Sequence, residues 1–237
     1  MSFQFKQFAI ADDRCAMKVN TDGVLLGAWA SMEGCTRALD IGTGSGVIAL
    51  MMAQRTPAQT EVVGIDIDEA RIAQAQENAE ASPFASRVCM QKADIRRFEA
   101  KPFSHIVCNP PFHTETLTSP NDRRAQARHA HALTLKELIH HAVRLLAPEG
   151  HFAMIAPCAA KSIVLSAAAE TGLQLTRLTT VHTKAGKAPK RLLIEWTKQA
   201  HASKEGLKEA ETLFLTNSDG SRTAEYAALT REFYLNT

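Results

Sequence analysis

A glycine-rich turn between two apolar segments constrains the fold of this chain more than any other feature. Residues 39–46 read L-D-I-G-T-G-S-G, the segment 37–41 has the pattern of a buried strand, and an apolar helix is predicted over 47–54. A second apolar strand over 61–65 is followed by a helical pattern over 69–80 and by a third strand. This order of strand, glycine turn, helix and strand predicts half of a doubly wound α/β sheet.

Composition and charge narrow the class of protein. The chain has 237 residues, of which 45% are hydrophobic and 22% charged, as expected for one globular domain. Its net charge is only +2, so nucleic-acid binding would have to depend on a local basic patch. The start has no signal-peptide core, and no run of about 18 apolar residues occurs. The 5 cysteines are scattered, which favours free thiols and a cytoplasmic location.

The economical division is one domain over 1–237. Within it we distinguish an N-terminal lead at 1–31, a core at 32–198, and a C-terminal appendage at 199–237 that contains a strand and a helix. In the lead, Thr21 or Asp22 is a plausible N-cap of a short helix. Further along, a helix is predicted over 131–147, where a Pro-Glu-Gly sequence stops it.

Carboxylates lie at or just after the ends of the predicted strands near the glycine turn. Asp40 precedes the first glycine, Asp66 ends the second strand about twenty residues past the glycines, and Asp94 follows the third strand. The spacing G-x-G-x-G differs from the G-x-G-x-x-G of nicotinamide-cofactor proteins and disfavours that class. A carboxylate before the turn suits a ligand ammonium, and one at the next strand end suits a ribose diol. The ammonium, ribose and adenine of S-adenosylmethionine match Asp40, Asp66, and Asp94 with Ile95 in turn.

The sequence C-N-P-P-F at residues 108–112 is the second notable motif. It follows an apolar strand, and its two prolines each fix φ near −65° and lack an N–H. The backbone therefore turns stiffly after Asn109, whose side-chain amide both donates and accepts hydrogen bonds. Such a motif suits the binding of a flat amide or amine group, although the same residues also form ordinary loops.

Two basic segments are candidates for binding a polyanion. The polar stretch that follows the proline motif contains Arg123, Arg124 and Arg128, and a solvated surface is the alternative interpretation of these residues. The connection 182–190 between two predicted strands contains three lysines and no acidic residue, and it is followed by Arg191. A solvated hairpin tip explains the lysines equally well. The histidines near residue 140 lack neighbouring ligands at metal-binding spacing, so we expect no metal site there.

These motifs resemble those of amino-methyltransferases that use S-adenosylmethionine. More narrowly, residues 5–8 (F-K-Q-F), 13–29 (D-R-C-A-M-K-V-N-T-D-G-V-L-L-G-A-W), 74–78 and 226–234 (Y-A-A-L-T-R-E-F-Y) resemble the bacterial tRNA1(Val) (adenine(37)-N6)-methyltransferases. The resemblance implies a Rossmann-like class I α/β fold, in which a seven-stranded, mostly parallel sheet has one antiparallel strand and helices on both faces. It implies methyl transfer from S-adenosyl-L-methionine to N6 of adenosine 37, next to the anticodon of valine tRNA.

The resemblance also implies a tRNA partner. From the residues we expect no membrane association and no metal, and we expect a monomer or weak homodimer. Together with the motifs, the resemblance assigns three groups of residues. The catalytic group is Asn109, Pro110, Pro111 and Phe112. The cofactor-binding group is Thr21, Asp22, Asp40, Gly42, Gly44, Gly46, Asp66, Ile67, Asp94, Ile95 and Asn109. The RNA-binding group is Arg123, Arg124, Arg128, Lys184, Lys187, Lys190 and Arg191.

Other functions remain open from the sequence. The motif N-P-P-F-H also resembles ribosomal-RNA guanine-N2 methyltransferases, which generally carry a duplicated second domain. Protein glutamine N5-methyltransferases share the N-P-P-aromatic geometry but usually have a helical N-terminal domain. A protein of another class, an RNA-binding module that kept the fold without activity, is also conceivable, although the intact Asp40, Asp66 and Asn109 argue against it.

Overall fold

The computed structural model describes residues 2–15, 17–111, 133–198 and 210–235. Its strands are β1 Ser2–Gln4, β2 Ala9–Ala11, β3 Arg37–Ile41, β4 Glu61–Asp66, β5 Val88–Lys92, β6 Phe103–Cys108, β7 Leu146–Pro157, β8 Leu173–Lys184, β9 Arg191–Lys198 and β10 Glu211–Thr216. Its α-helices are α1 Thr21–Trp29, α2 Val47–Arg55, α3 Glu69–Glu80, α4 Leu135–Leu145, α5 Lys161–Glu170 and α6 Ala224–Thr230.

Within these residues the central sheet has eight strands, in the order β10-β8-β9-β7-β6-β3-β4-β5. Only β9 runs antiparallel to its neighbours, β7 and β8, and all other pairs are parallel. The predicted mostly parallel sheet with one antiparallel strand is confirmed, but the predicted count of seven is wrong. The additional strand is β10, which adds to the edge beside β8 and comes from the C-terminal appendage.

Helices cover both faces of the sheet. Successive strand residues point to opposite faces, and the central strands carry apolar side chains on each face that the helices bury. In β7, Ala153 and Ile155 belong to a hydrophobic core shared with α1 and α2. Phe152 and Met154 belong to the opposite core, which contains the buried side chains of α4 and α5. Buried apolar residues on both faces also explain the nearly continuous apolar sequences of the central strands.

Several predicted helix boundaries differ from the structure. The N-cap of α1 is Asn20, whose side chain accepts a 3.0 Å hydrogen bond from the N–H of Gly23, so the predicted cap at Thr21 or Asp22 is wrong. The helix predicted over 131–147 begins at Leu135 because Thr134 and Glu137 form a capping box. It ends at Leu145, and β7 begins at once because Leu146 pairs with Phe103.

Candidate active site

The glycine turn between β3 and α2 presents open backbone. Gly42, Gly44 and Gly46 have φ values of 72°, 55° and 84°, a left-handed conformation that favours glycine. A Cβ atom on Gly42 would have no neighbour within 4 Å, and one on Gly44 would meet only the Gly42 carbonyl, at 4.0 Å. A Cβ on Gly46 would instead lie 3.0 Å from Met90 Cε. The first two glycines therefore leave room for a ligand, whereas the third permits close packing.

Asp40 lies beneath this turn and is 1% exposed. Its Oδ2 accepts hydrogen bonds from Thr43 Oγ1 at 2.6 Å and from the N–H of Ala49 at 3.1 Å, so the carboxylate ties the turn to α2. Its Oδ1 is buried and has no hydrogen-bond partner among the described residues. Burial raises the pKa of Asp40 to about 7. A donor or cation at Oδ1 would restore the usual acidity of this carboxyl group.

Asp66, at the end of β4, faces the same turn. Its Oδ2 accepts a 3.2 Å hydrogen bond from the N–H of Gly44, and its Oδ1 accepts one from the N–H of Asp68 at 3.0 Å. Arg71 Nη1 lies 3.7 Å from Oδ2. The next residue, Ile67, is 67% exposed. A buried carboxylate is thus followed directly by an exposed apolar side chain, an arrangement that suits a ribose with its attached base.

Asp94 follows β5 beside Asp66, since the N–H of Ala93 donates to the Asp66 carbonyl at 2.9 Å. Arg96 holds the Asp94 carboxylate with hydrogen bonds of 2.6 to 2.9 Å. These bonds lower the pKa of Asp94. The side chain of Ile95 is buried in the core that contains α4 and α5. Of these two predicted cofactor residues, Asp94 lies at the sheet edge. Ile95 can offer a ligand only its backbone, and its carbonyl already accepts a 3.1 Å hydrogen bond from Arg144 Nη2.

The proline motif begins directly after β6, the strand next to β3. Cys108 pairs with Ile41, so Asn109 lies beside the start of the glycine turn. Asn109 is partly exposed, Pro110 is buried and Pro111 is exposed. A Cβ atom built on Gly23 would lie 3.8 Å from Asn109 Nδ2, which places the carboxamide at the first turn of α1. No hydrogen bond within the described residues involves the Asn109 side chain. Phe112 lies outside those residues.

The predicted RNA-binding residues fall into two sets. Arg123, Arg124 and Arg128 lie outside the described part of the chain. Lys184 is exposed at the end of β8, and Lys187 and Lys190 are exposed on the turn that leads to β9; we name the segment that carries these three lysines the lysine turn. Because the N–H of Cys158, just after β7, donates to the Lys190 carbonyl at 3.2 Å, this turn lies at the same sheet edge as the proline motif.

Arg191, assigned from the sequence to RNA, pairs with Asp22, assigned to the cofactor. Its Nε donates to Asp22 Oδ2 at 2.8 Å, and both side chains are partly buried. The preceding Thr21 is exposed at the start of α1. The ion pair therefore joins the start of β9, next to the lysine turn, to the helix that lies beside Asn109. The two residues are far apart in the sequence, and no local motif indicated that they pair.

Two buried amides that the motifs did not assign also lie beside the glycine turn. Gln74 and Asn78 of α3 are 1% and 5% exposed, and Asn78 Nδ2 donates to the Ser45 carbonyl at 2.9 Å. The only sequence signal for them was the resemblance over 74–78. Among the described residues, no group of three or more His, Cys, Asp or Glu side chains is arranged to hold a metal ion. Nor does that part of the chain contain a helix long and apolar enough to cross a membrane.

Comparisons with known proteins agree with this geometry. The family model described as "Methyltransferase small domain" matches residues 24–163. Curated proteins named tRNA1(Val) (adenine(37)-N6)-methyltransferase are 43% identical in Bacteroides thetaiotaomicron and 45% identical in Phocaeicola vulgatus. Each match spans 235 residues, which is 99% of this chain and 97% of the relative. A solved structure of a predicted O-methyltransferase, protein Atu636 from Agrobacterium tumefaciens, is similar in fold, with a TM-score of 0.66 and 20% identity over 90% of this chain and 96% of that chain. The chain therefore belongs to the methyltransferase small-domain family and, within it, to the tRNA1(Val) (adenine(37)-N6)-methyltransferases.

Proposed function

We propose that this protein transfers the methyl group of S-adenosyl-L-methionine to the exocyclic N6 of adenosine 37 in valine tRNA. The observation that carries the proposal is the position of Asn109. Its carboxamide is partly exposed at the end of β6, directly beside the open glycine turn at the end of β3. An acceptor for an amine thus lies next to a place for the methyl donor. The names of the curated relatives supply the choice of tRNA and base.

The residues at the glycine turn fit the cofactor. Oδ1 of Asp40, which has no hydrogen-bond partner in the described part of the chain, is an acceptor for a donor or cation such as an ammonium. The open sides of Gly42 and Gly44 allow close backbone approach. Asp66 suits the ribose diol and the exposed Ile67 suits the adenine. We assign Gly46, Asp94, the backbone of Ile95, Thr21 and Asp22 to the border of the same site. When bound, S-adenosylmethionine supplies a methyl group on a positively charged sulfur.

The protein's part in catalysis follows from the electronics of an aromatic amine. The lone pair of adenine N6 is delocalised into the ring, so the amine must become pyramidal before it attacks. We propose that Asn109 Oδ1 and the Pro110 carbonyl accept hydrogen bonds from the two N–H groups of the amine. These hydrogen bonds stabilise the pyramidal amine most strongly in the transition state. The prolines keep these acceptors fixed, which limits reorganisation. No general base is required at the start, because the amine loses its proton after attack.

Phe112 is assigned to stacking on the adenine. An adenine turned out of the anticodon loop loses its stacking on neighbouring bases. Stacking on an aromatic side chain takes the place of that interaction and stabilises the bound base by about 1–3 kcal/mol. Phe112 lies outside the described residues, so this role stays a prediction from the sequence.

The tRNA backbone is assigned to the basic residues at the same edge of the sheet. Lys184, Lys187 and Lys190 are exposed on the lysine turn, and phosphate contacts by such residues make binding salt-dependent. Arg191 is held by Asp22 in the structure, so any phosphate contact it makes is shared with that carboxylate. We also assign Arg123, Arg124 and Arg128 to tRNA binding, as a prediction from the sequence. A tRNA substrate places the reaction in the cytoplasm, and we retain a monomer or weak homodimer, with the segments 1–31, 32–198 and 199–237 as divisions of one domain.

One assay tests the proposal directly. The protein is incubated with isotope-labelled S-adenosylmethionine and unmodified valine tRNA, and the methylated nucleoside is identified by mass spectrometry. We expect N6-methyladenosine, and we expect its loss in a tRNA that has guanosine at position 37. N2-methylguanosine in ribosomal RNA or methylglutamine in protein would replace the proposal with one of the other methyltransferase activities. Failure of the protein to bind S-adenosylmethionine would instead favour an inactive RNA-binding module.

A further inference from the structure

An N-terminal segment is fastened to the glycine turn by one buried side chain. Asn78 Oδ1 accepts a hydrogen bond from the N–H of Ala11 at 2.9 Å, and its Nδ2 donates to the Ala11 carbonyl at 2.8 Å and to the Ser45 carbonyl at 2.9 Å. We name residues 11–15 and 17–20 the strap. The amide of Asn78 therefore bridges the start of the strap and the loop that presents Gly42 and Gly44.

The same face of α3 holds the strap at a second point. Gln74 Oε1 accepts from the N–H of Arg14 at 3.0 Å, and Gln74 Nε2 donates to Asp13 Oδ1 at 2.7 Å. Arg14 also forms an ion pair with Glu77. Residues 74, 77 and 78 are neighbours on one helix face because they are three or four positions apart. They fix the first half of the strap.

The two halves of the strap are joined to each other. Asp12 Oδ2 accepts from the N–H of Val19 at 2.8 Å, which closes the strap on itself. Between these residues Cys15 is buried, and burial raises the pKa of its thiol.

The strap ends beside the catalytic amide. Its last residue, Asn20, caps α1. A Cβ atom on Gly23 would lie 3.8 Å from both Asn20 Oδ1 and Asn109 Nδ2. The strap therefore meets the proposed cofactor cleft at two points, near Ser45 through Asn78 and near Asn109 through Asn20.

The far end of the N-terminal segment is anchored to the C-terminal appendage. The N–H of Lys6 donates to the Phe233 carbonyl at 2.8 Å. The ring of Phe5 stacks on those of Phe8 and Tyr234, with centroid distances of 4.7 and 6.2 Å. The four segments that carry the narrow family resemblance therefore form one connected unit around the strap.

We propose that Asn78 and Gln74 are positioning residues for cofactor binding, because they hold the strap against the glycine turn and so keep one wall of the cofactor cleft in place. The inference rests on the proposed cofactor site. Neither residue is assigned a contact with the reacting atoms. Their loss acts on cofactor affinity, whereas methyl transfer at saturating cofactor and binding of tRNA to the lysine turn are maintained.

The variants Asn78→Ala and Gln74→Ala test this role against the matched control Glu80→Ala. Glu80 is exposed on the same helix and bonds only Gln76 within the described residues. Isothermal titration with S-adenosylhomocysteine measures affinity, and steady-state kinetics separate KM from kcat. For Asn78→Ala we expect about ten-fold weaker binding, a raised KM for S-adenosylmethionine, an unchanged KM for tRNA and a kcat within about two-fold of the wild type. Glu80→Ala should match the wild type.

Thermal unfolding with and without S-adenosylhomocysteine separates positioning from simple support of the fold. A ligand raises Tm according to its affinity, so a smaller ligand-induced rise in Asn78→Ala supports positioning. A lower Tm with a wild-type ligand-induced rise and a wild-type affinity would overturn it. If the wild type itself fails to bind S-adenosylhomocysteine, the proposed function fails. If the wild type and Asn78→Ala bind equally, only this inference fails.

Limited trypsin digestion of the wild type is independent of whether a variant folds. Arg14 and Lys18 provide cleavage sites within the strap, and Lys187, on the lysine turn, provides an internal reference. S-adenosylhomocysteine should slow cleavage at the two strap sites and leave the reference site unchanged. Equal strap cleavage with and without the ligand would overturn the proposed contact between strap and cofactor site.

Discussion

Replacing Asn109 by alanine should separate catalysis from folding in this protein. The side chain is partly exposed and forms no hydrogen bond within the described residues, so its removal leaves no buried partner unsatisfied there. We expect the free energy of unfolding to change by no more than about 0.5 kcal/mol, as for surface substitutions. Cofactor affinity should also remain close to that of the wild type, because the glycine turn and Asp66 are untouched.

The expected kinetic loss follows from the number of acceptors. Asn109→Ala removes one of the two proposed acceptors for the amine and leaves the Pro110 carbonyl in place. The loss of one preorganised hydrogen bond to the reacting group costs about 10²–10³-fold in kcat, or about 2.7–4 kcal/mol of transition-state stabilisation. Because the bond is strongest in the transition state, kcat should fall much more than KM for tRNA rises.

Single-turnover methylation of valine tRNA with saturating enzyme and cofactor measures this loss. Titration with S-adenosylhomocysteine and chemical denaturation of the same preparation supply the two controls. A variant that methylates within about three-fold of the wild-type rate would refute the role of Asn109, since the expected loss is far larger. A parallel collapse of cofactor affinity would assign Asn109 to binding and not to the transition state.

Three further predictions concern the cofactor and the tRNA. The pKa of Asp40 in the folded protein, about 7, exceeds its ordinary value of 3.8, so without ligand the free energy of unfolding should fall as pH rises between these two values. A cation at Oδ1 favours the ionised carboxylate, so cofactor affinity measured by titration should rise as pH increases through 7. Asp40→Asn should flatten both pH dependences. Gly44→Ala should cost about 1–2 kcal/mol of stability because φ at this position is 55°. The control Gly172→Ala should cost a similar amount, because Gly172 has φ 76° and open surroundings. Only Gly44→Ala should weaken cofactor binding. Replacing the three lysines of the lysine turn by alanine should reduce the slope of log affinity for tRNA against log salt concentration by up to about 2–3. An unchanged slope in a filter-binding assay would exclude these lysines from the interface.

Local patterns were sufficient for the individual elements near the glycine turn. The strand predicted over 37–41 and the helix predicted over 69–80 have the same bounds as β3 and α3. Their apolar periodicity and the N-cap Asp68 are properties of neighbouring residues, which the sequence displays directly. The cap of α1 shows the limit of such patterns. Asn20, Thr21 and Asp22 are all good capping residues, and the backbone conformation selects only Asn20.

Motifs of a few adjacent residues were enough to predict the class of sheet, the glycine turn, the carboxylates at the strand ends and the proline motif, because each depends on local chemistry. The packing of distant segments, which no motif displays, places β10 beside β8, pairs Arg191 with Asp22 and joins Asn78 to the N-terminal strap. These contacts join residues that are far apart in the chain. Such pairings depend on how the helices and strands pack. A buried polar side chain needs a hydrogen-bond partner, but its neighbours in the sequence do not indicate which distant residue that partner will be.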